Sequence, residues 1–456
     1  MRKRRDSVIH KHCDFKTLSL ITLCALTSVS ARPEPSKEID LGLFGAKGDG
    51  RTDDSMNVQK ALSYCSRWGA TCKISANTTY LITQPLFLWG NSRLQGADGS
   101  GALVFSAASA PYLLNIGISR KNGLEAPFQG EISNVTFKVI GGSGGRIIYF
   151  WRTRNAEIDH NTFYVGNYPY SATSSGNDND WVANGLANCV RESVTITGNK
   201  IFATAAEGGS EGIGLVNFDG AAISDNEVVG VGDDAVGIHF SKRVVVANNL
   251  LRSVRGRLFV ANSKQVTVTH NTVERMSSAT DHRFYAGIAL IYVGFEDQNG
   301  NSWNAPRDIQ IRENHMYYPP GSLDQGAAIN LNGVKATTVE DNRIVNDSPQ
   351  VIATGLHVSP VLFSGPWNDP EGIESGSIAS VWDVDIRRNR SEGKYPQNLV
   401  MTGNCVNYKG TVTVQENVAR DFSFYCDTTE FREDQNARLS KKKRQRDSRE
   451  SSEAPP

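Results

Sequence analysis

Beyond residue 31 the sequence has no stretch approaching 18 consecutive apolar residues, so nothing there is long enough to cross a bilayer as a helix. Cysteine is scarce, seven in 456 residues, and no spacing among the seven resembles a zinc site. Net charge is also lacking: 48 Lys and Arg balance 48 Asp and Glu. That balance averages unlike parts. Residues 1–31 carry six basic side chains against two acidic, and 432–456 carry eight against five. The part between them holds 34 basic and 41 acidic residues, a net of −7. An acidic body excludes nucleic acid as the main partner, because phosphate binding needs a basic surface.

The two ends have simple readings. "MRKRRDSVIHKH" is basic, "LSLITLCALTSV" is apolar but short, and "VSA" offers small residues up to Ala31, so 1–31 reads as a cleaved export signal. The expected location is secreted or periplasmic, with no membrane attachment after cleavage. Residues 432–456 are charged and lack apolar period, as a disordered tail does. The folded part is then one domain, 32–431. Signal removal takes away Cys13 and Cys24. Cys65 and Cys72, seven residues apart, are close enough to pair around a helix-to-strand corner, and Cys405 and Cys426 form a second candidate pair, leaving Cys189 odd.

Glycine is plentiful, 42 residues, and asparagine recurs on a pattern. Short β-branched runs end in Asn161, Asn199, Asn226, Asn249, Asn271, Asn314, Asn342, Asn389 and Asn417, as in "SVTITGN", "RVVVANN" and "TVTVQEN". The tightest intervals are 23 and 22 residues, too short for a strand plus a packed helix, and no helical period appears. The pattern predicts an all-β fold, a parallel β-solenoid whose coils bury their inward residues by stacking. The repeated Asn is expected to take the left-handed turn conformation and to bond the equivalent Asn one rung away. Residues 53–66 read as a short amphipathic helix capping the first coil, with Asp53 or Asp54 as its N-cap.

Here a resemblance enters. "IDLGLFGAKGDGRTDDSMNVQKAL" resembles the opening of the pectate-lyase-like superfamily of right-handed β-helices, through Phe44, Gly45, Ala46, Gly48, Asp49, Gly50, Thr52, Asp53 and Asp54. That superfamily includes polygalacturonases, other glycosidases, polysaccharide lyases and phage tailspikes. The resemblance implies a single-stranded right-handed parallel β-helix with an N-terminal capping helix. It marks the fold without choosing an activity, and its acids read as turn and cap residues.

Aligning coils on their apolar alternation puts Ile213, Val236, Leu258, Ile288 and Ile329 in one inward column, and Leu215, Ile238, Val260, Leu290 and Leu331 in a second. Gly212, Gly214, Ala235 and Gly237 then form a flat outer floor beside His239, Arg257 and Phe259. Glu211, Asp233 and Asp234 converge at the bend entering these strands, with Arg255 and Arg257 on the next rung. Carboxylates so close resist full ionisation together, which keeps a proton available for glycoside hydrolysis. The region also resembles the polygalacturonase family: "GSEG", "GDDA" and "RGR" stand where that family has N-T-D-G, D-D and G-H-G. The resemblance implies catalytic roles for Glu211, Asp233 and Asp234 and an inverting route. The family's His is replaced by Gly256 and no R-I-K follows, which argues against galacturonan as the substrate.

The candidate substrate-binding residues are His239, Arg255, Arg257, Tyr285 and Trp181. The last two fall in long insertions at 276–286 and 164–185; others, at 293–306, 315–326 and 357–378, also hold aromatic residues. The leading expectation is a glycoside hydrolase with a carbohydrate substrate and neither metal nor cofactor. The second is a polysaccharide lyase or uronate epimerase, with Arg255, Arg257, His239 or Tyr285 as base and charge neutraliser and the acids binding Ca2+. The third is a non-catalytic carbohydrate-binding spike. Monomer and homo-oligomer, a trimer included, both suit a solenoid.

Overall fold

Short β-branched runs broken by Gly, Asn, Asp and Ser can bury an apolar face only by stacking coil on coil. A computed structural model shows that stacking. It describes residues 38–97, 100–106, 112–118, 126–141, 145–166, 170–174, 191–203, 211–253, 257–275, 287–291, 306–321, 327–349, 355–359, 361–362, 378–379, 381–394, 399–401, 408–418, 422–424 and 431–433. The export-signal and tail readings, and Cys189, Cys405 and Cys426, lie outside these, although the strand Phe431–Glu433 still pairs with the preceding coil.

Three long parallel sheets run down the molecule, the first of 14 strands and the second and third of 12 each. Each complete coil gives one strand to each sheet. Phe218–Ser224, Glu227–Val229 and Asp234–His239 make one coil; Lys242–Ala247, Leu250–Ser253 and Arg257–Ala261 make the next. The interior columns are those expected. Ile213 pairs with Val236, Val236 with Leu258, Leu258 with Ile288 and Ile288 with Ile329, and all five are fully buried. The second column, from Leu215 to Leu331, runs in the same register.

The open N-terminal end is closed by the helix Ser55–Trp68, which turns Val58, Ala61, Leu62 and Cys65 inward. Gly69, in the left-handed conformation, ends it, and Cys65 is bonded to Cys72 across the corner, with Cα atoms 6.0 Å apart. Asp54 holds the N-cap position, yet its buried carboxylate accepts from the N–H groups of Lys47 and Gly48, not from the helix. Asp53 accepts from the Ser55 N–H and from Thr83 Oγ1. Asp49 folds its own turn by accepting from Arg51 and Thr52, which holds its carboxyl down at about 2. The acids of this opening motif are thus turn-makers and latches.

All nine repeated asparagines form one continuous ladder at the corner between the first and second sheets. Each Nδ2 donates to the next Oδ1 over 2.9–3.1 Å, from Asn161 through Asn249 to Asn417. Each Oδ1 from Asn161 to Asn417 also accepts a backbone N–H from the rung before it, as Asn249 does from Asn226. One expectation needs correction. The left-handed residue is not the ladder asparagine but the residue before it: His160, Gly198, Asp225, Asn248, His270, Glu313, Asp341, Arg388 and Glu416. The ladder Nδ2 reaches back two residues to a carbonyl, as Asn249 does to Ala247, and so clamps that strained residue in place.

Replacing Asn249 by Ala removes an amide bonded to the coil on either side and leaves buried partners unmet. Asn249→Ala is expected to lower the unfolding free energy by about 3 kcal/mol in chemical denaturation, and a loss under about 1 kcal/mol would show that the ladder does not hold the coils.

Candidate active site

Strands Ile213–Val216, Asp234–His239 and Arg257–Ala261 of the third sheet carry the expected site. Alternation sends Val236 and Ile238 into the core, and Gly237 and His239 outward. Asp234 has the parity of an inward residue, and a β-bulge releases it. Asp234 pairs with Arg257 and Val236 with Leu258, so Ala235 is an extra residue on its strand. Glu211 enters its strand through the same bend one rung earlier, where the Gly212 N–H donates to the Asp234 carbonyl at 2.9 Å.

The polar tips converge over one glycine. A Cβ placed on Gly237 would lie 3.2 Å from His239 Nε2, 3.5 Å from Glu211 Oε1 and 3.7 Å from Asp234 Oδ2. One polar atom from each of Glu211, Asp234 and His239 lies within 4.8 Å of the other two. Asp234 is only 3% exposed, while Glu211, Asp233 and His239 are partly open to solvent. Phe259, one rung on, packs against His239 with ring centroids 5.2 Å apart and limits the turning of the imidazole. Two carboxylates and an imidazole can exchange a proton among themselves, or take a divalent cation through oxygen and nitrogen ligands.

Within the expected group, Glu211 stands beside Asp234, because Ile213 pairs with Val236. Asp233 lies outside the three-residue cluster. The backbone of Arg257 lies beside Asp234 as expected, whereas Arg255, Tyr285 and Trp181 fall outside the described residues. Some aromatic residues assigned to insertions are in strands of the second sheet. Tyr164 lies in Thr162–Gly166 and stacks on Phe202, and Tyr318 lies in His315–Tyr318 with its ring in the core. Their β-branched and aromatic neighbours could have identified those strands.

Sequence reasoning stopped short of the rungs before Ile213. Ile148 pairs with Thr173 and Thr173 with Ile213, so Arg146, two residues before Ile148, takes the corner position that Glu211 holds. Next to it Tyr112, Tyr149 and Trp151 form an aromatic cluster. Extending the same apolar alignment two rungs upstream would have found both.

Residues 184–361, which include the acid cluster, match the family described as right handed beta helix region. The chain is a right-handed parallel β-helix. A stretch of 252 residues is 27% identical to a probable polygalacturonase from Arabidopsis thaliana, covering 51% of this chain and 53% of that protein. The chain thus spans about half the length of the curated relative it matches. Among solved structures it is similar to a mannuronan C-5 epimerase module from Azotobacter vinelandii, at 13% identity and TM-score 0.47, covering 87% of this chain and 100% of that one. It is also similar to an exopolygalacturonase from Thermotoga maritima, at 14% identity and TM-score 0.40, covering 77% and 92%.

The outward row of the third sheet runs on from Gly237 through Phe259, Ala289 and Asn330 to His357. Burial holds the His357 imidazole below its ordinary value of 6.5, with Nδ1 2.9 Å from Asn330 Oδ1. The folded state resists a proton that the unfolded chain accepts, so this contribution to stability is complete above 6.5 and is lost as the pH falls below it. The wild type should lose more melting temperature than His357→Gln on going from neutral to mildly acidic buffer. Parallel losses in the two proteins would refute the assignment.

Proposed function

We propose that this β-helix is an exported carbohydrate-active enzyme that hydrolyses glycosidic bonds at the acid cluster over Gly237. The observation that carries the reading is the convergence of Glu211, Asp234 and His239 on the outer face of two successive coils. Glycoside hydrolysis needs a proton for the leaving oxygen and a second carboxylate to act on water or carbon. The Glu211–Asp234 pair supplies the first function as a unit, because two facing carboxylates share a proton more cheaply than they ionise together. His239, held by Phe259, resupplies that proton from solvent. The pair's oxygens are closer than the roughly 6.5–9.5 Å that brackets a water in most inverting enzymes. In an inverting route the water therefore falls to Asp233, the more exposed neighbour on the same bend. The 27% identity with a probable polygalacturonase supports the reaction class, not the sugar.

A second reading has its own observation. Two carboxylates and an imidazole within 4.8 Å of one another form a ligand set for a divalent cation, as an eliminating lyase or an epimerase would use. The two readings part in one experiment. Purified protein is screened on a polysaccharide panel, with new reducing ends and ultraviolet absorbance of unsaturated uronic ends followed together, with and without a chelator.

Hydrolysis predicts reducing ends without absorbance, unaffected by the chelator. Glu211→Gln and Asp234→Asn should each lower kcat by about a thousandfold. Gly237→Ala should fold normally, since its backbone is ordinary strand, yet lower kcat/KM by about a hundredfold through displacement of the three tips. Undiminished turnover in Asp234→Asn would sink the site, and absorbance that vanishes with chelator would transfer it to the second reading.

A further inference from the structure

The corner position that holds Glu211 and Asp234 is repeated on the earlier coils. Reading toward the N-terminus it is filled by Ser171, Arg146 and Tyr112, because Arg146 pairs with both Ser171 and Tyr112. The Tyr112 side chain leans outward although its parity is inward. Its ring stacks on that of Tyr149, with centroids 3.9 Å apart and planes 23° from parallel. Tyr149 belongs to the outward row, one residue after the inward Ile148.

Trp151 completes the cluster. Its ring stands edge-on to Tyr149 at 4.9 Å and to Tyr112 at 5.8 Å, and its Nε1 donates to Asn115 Oδ1 at 2.8 Å, which fixes its orientation. Tyr149 is buried under the other two rings, which remain partly exposed. Arg146 sits on the platform's own strand, three residues before Tyr149 and paired with Tyr112, in the corner row that continues to the acids. Its Nε is buried, and among the described residues it meets no acceptor. Arg146 as a whole is only partly buried, so its two terminal nitrogens are the atoms a carboxylate can reach, and their planar spacing matches its two oxygens. Glu211 is two rungs away, about 10 Å by the spacing of parallel strands. A short oligosaccharide spans that distance.

We infer that Arg146, with Tyr112 and Trp151, forms a second carbohydrate subsite, one that binds the carboxylate and ring face of an acidic sugar two rungs upstream of the acid cluster. This inference rests on the carbohydrate reading above. An open aromatic face of Tyr112 or Trp151 takes the C–H face of the ring, and the terminal nitrogens of Arg146 take its acid group in a charge-assisted, bidentate bond. Buried Arg191 holds the two coils in step, with its Nε donating to the Phe150 carbonyl and its Nη1 to that of Val216. The subsite therefore keeps a fixed distance from Glu211 and Asp234.

The test uses the full chain carrying Glu211→Gln, so that bound sugar is not consumed. Oligogalacturonate and oligomannuronate serve as carboxylated probes, and cello- and xylo-oligosaccharides as neutral ones, with affinity read by calorimetry and Trp emission. At least one carboxylated probe should bind at least tenfold more tightly than the neutral ones. Arg146→Gln should weaken it about tenfold, or about 1.4 kcal/mol. Arg146→Lys, which keeps the charge and lacks the fork, should fall between, with an unchanged melting temperature. The emission change should vanish in Trp151→Phe. Binding indifferent to Arg146→Gln and Arg146→Lys, neutral probes bound as tightly, or no carboxylated probe bound would each overturn the subsite. Failure of hydrolysis leaves Arg146-dependent binding intact, whereas hydrolysis with Arg146-independent binding removes the subsite alone.

Discussion

Nine asparagine amides, each bonded to the next, hold the coils of this molecule at a common spacing, and the other features are arranged around that constraint. A ladder asparagine such as Asn249 satisfies its neighbour's side chain, its neighbour's backbone and a carbonyl of its own turn. This leaves no freedom at the corner between the first and second sheets. The link there is always two residues, one left-handed and one ladder asparagine, from His160–Asn161 to Glu416–Asn417. Segments of variable length leave the coil only at the other two corners, which is why ladder intervals range from 22 to 47 residues without breaking it. The acid cluster stands at one of those variable corners, where side chains and entering loops can change with little effect on the stack.

That division of labour explains how carboxylates come to face each other. Left to solvent, Glu211 and Asp234 would separate. Parallel pairing places their backbones one rung apart, the bulge at Ala235 aims Asp234 outward, and Gly237 supplies the space into which their oxygens and the His239 ring converge. The like charges are brought together by backbone hydrogen bonds that repulsion between them cannot break, because those bonds belong to a ladder secured at another corner. A proton or a cation is then the cheapest way to relieve the pair.

Much of this was legible in the sequence because solenoid patterning is one-dimensional. The nine asparagines and both inward columns followed from alternation and spacing alone, since a slip by one residue would turn every apolar side chain to solvent. The Cys65–Cys72 bond followed from the short reach around one corner. What escaped had a local cause each time. The left-handed residue was assigned to the ladder asparagine instead of the residue before it because both lie at the turn and asparagine tolerates that conformation. Asp233 was grouped with Glu211 and Asp234 because alternation does not separate two adjacent acids at a bend. Tyr164 and Tyr318 were placed in loops because insertions nearby blurred the strand ends.

The corner row gives a physical reason to expect a linear substrate. Tyr112, Arg146, Ser171, Glu211, Asp234 and Arg257 succeed one another along the axis at one position per coil, about 4.8 Å apart. A ring on the first coil, a guanidinium on the second and facing carboxylates further along make a chemical gradient with a direction, and a polymer lying along the axis would meet those groups in order. Each position can be substituted with little disturbance to the ladder on the far side of the coil. On the function proposed above, specificity would reside in which residue occupies the corner on each rung, and the two acids are members of a longer series.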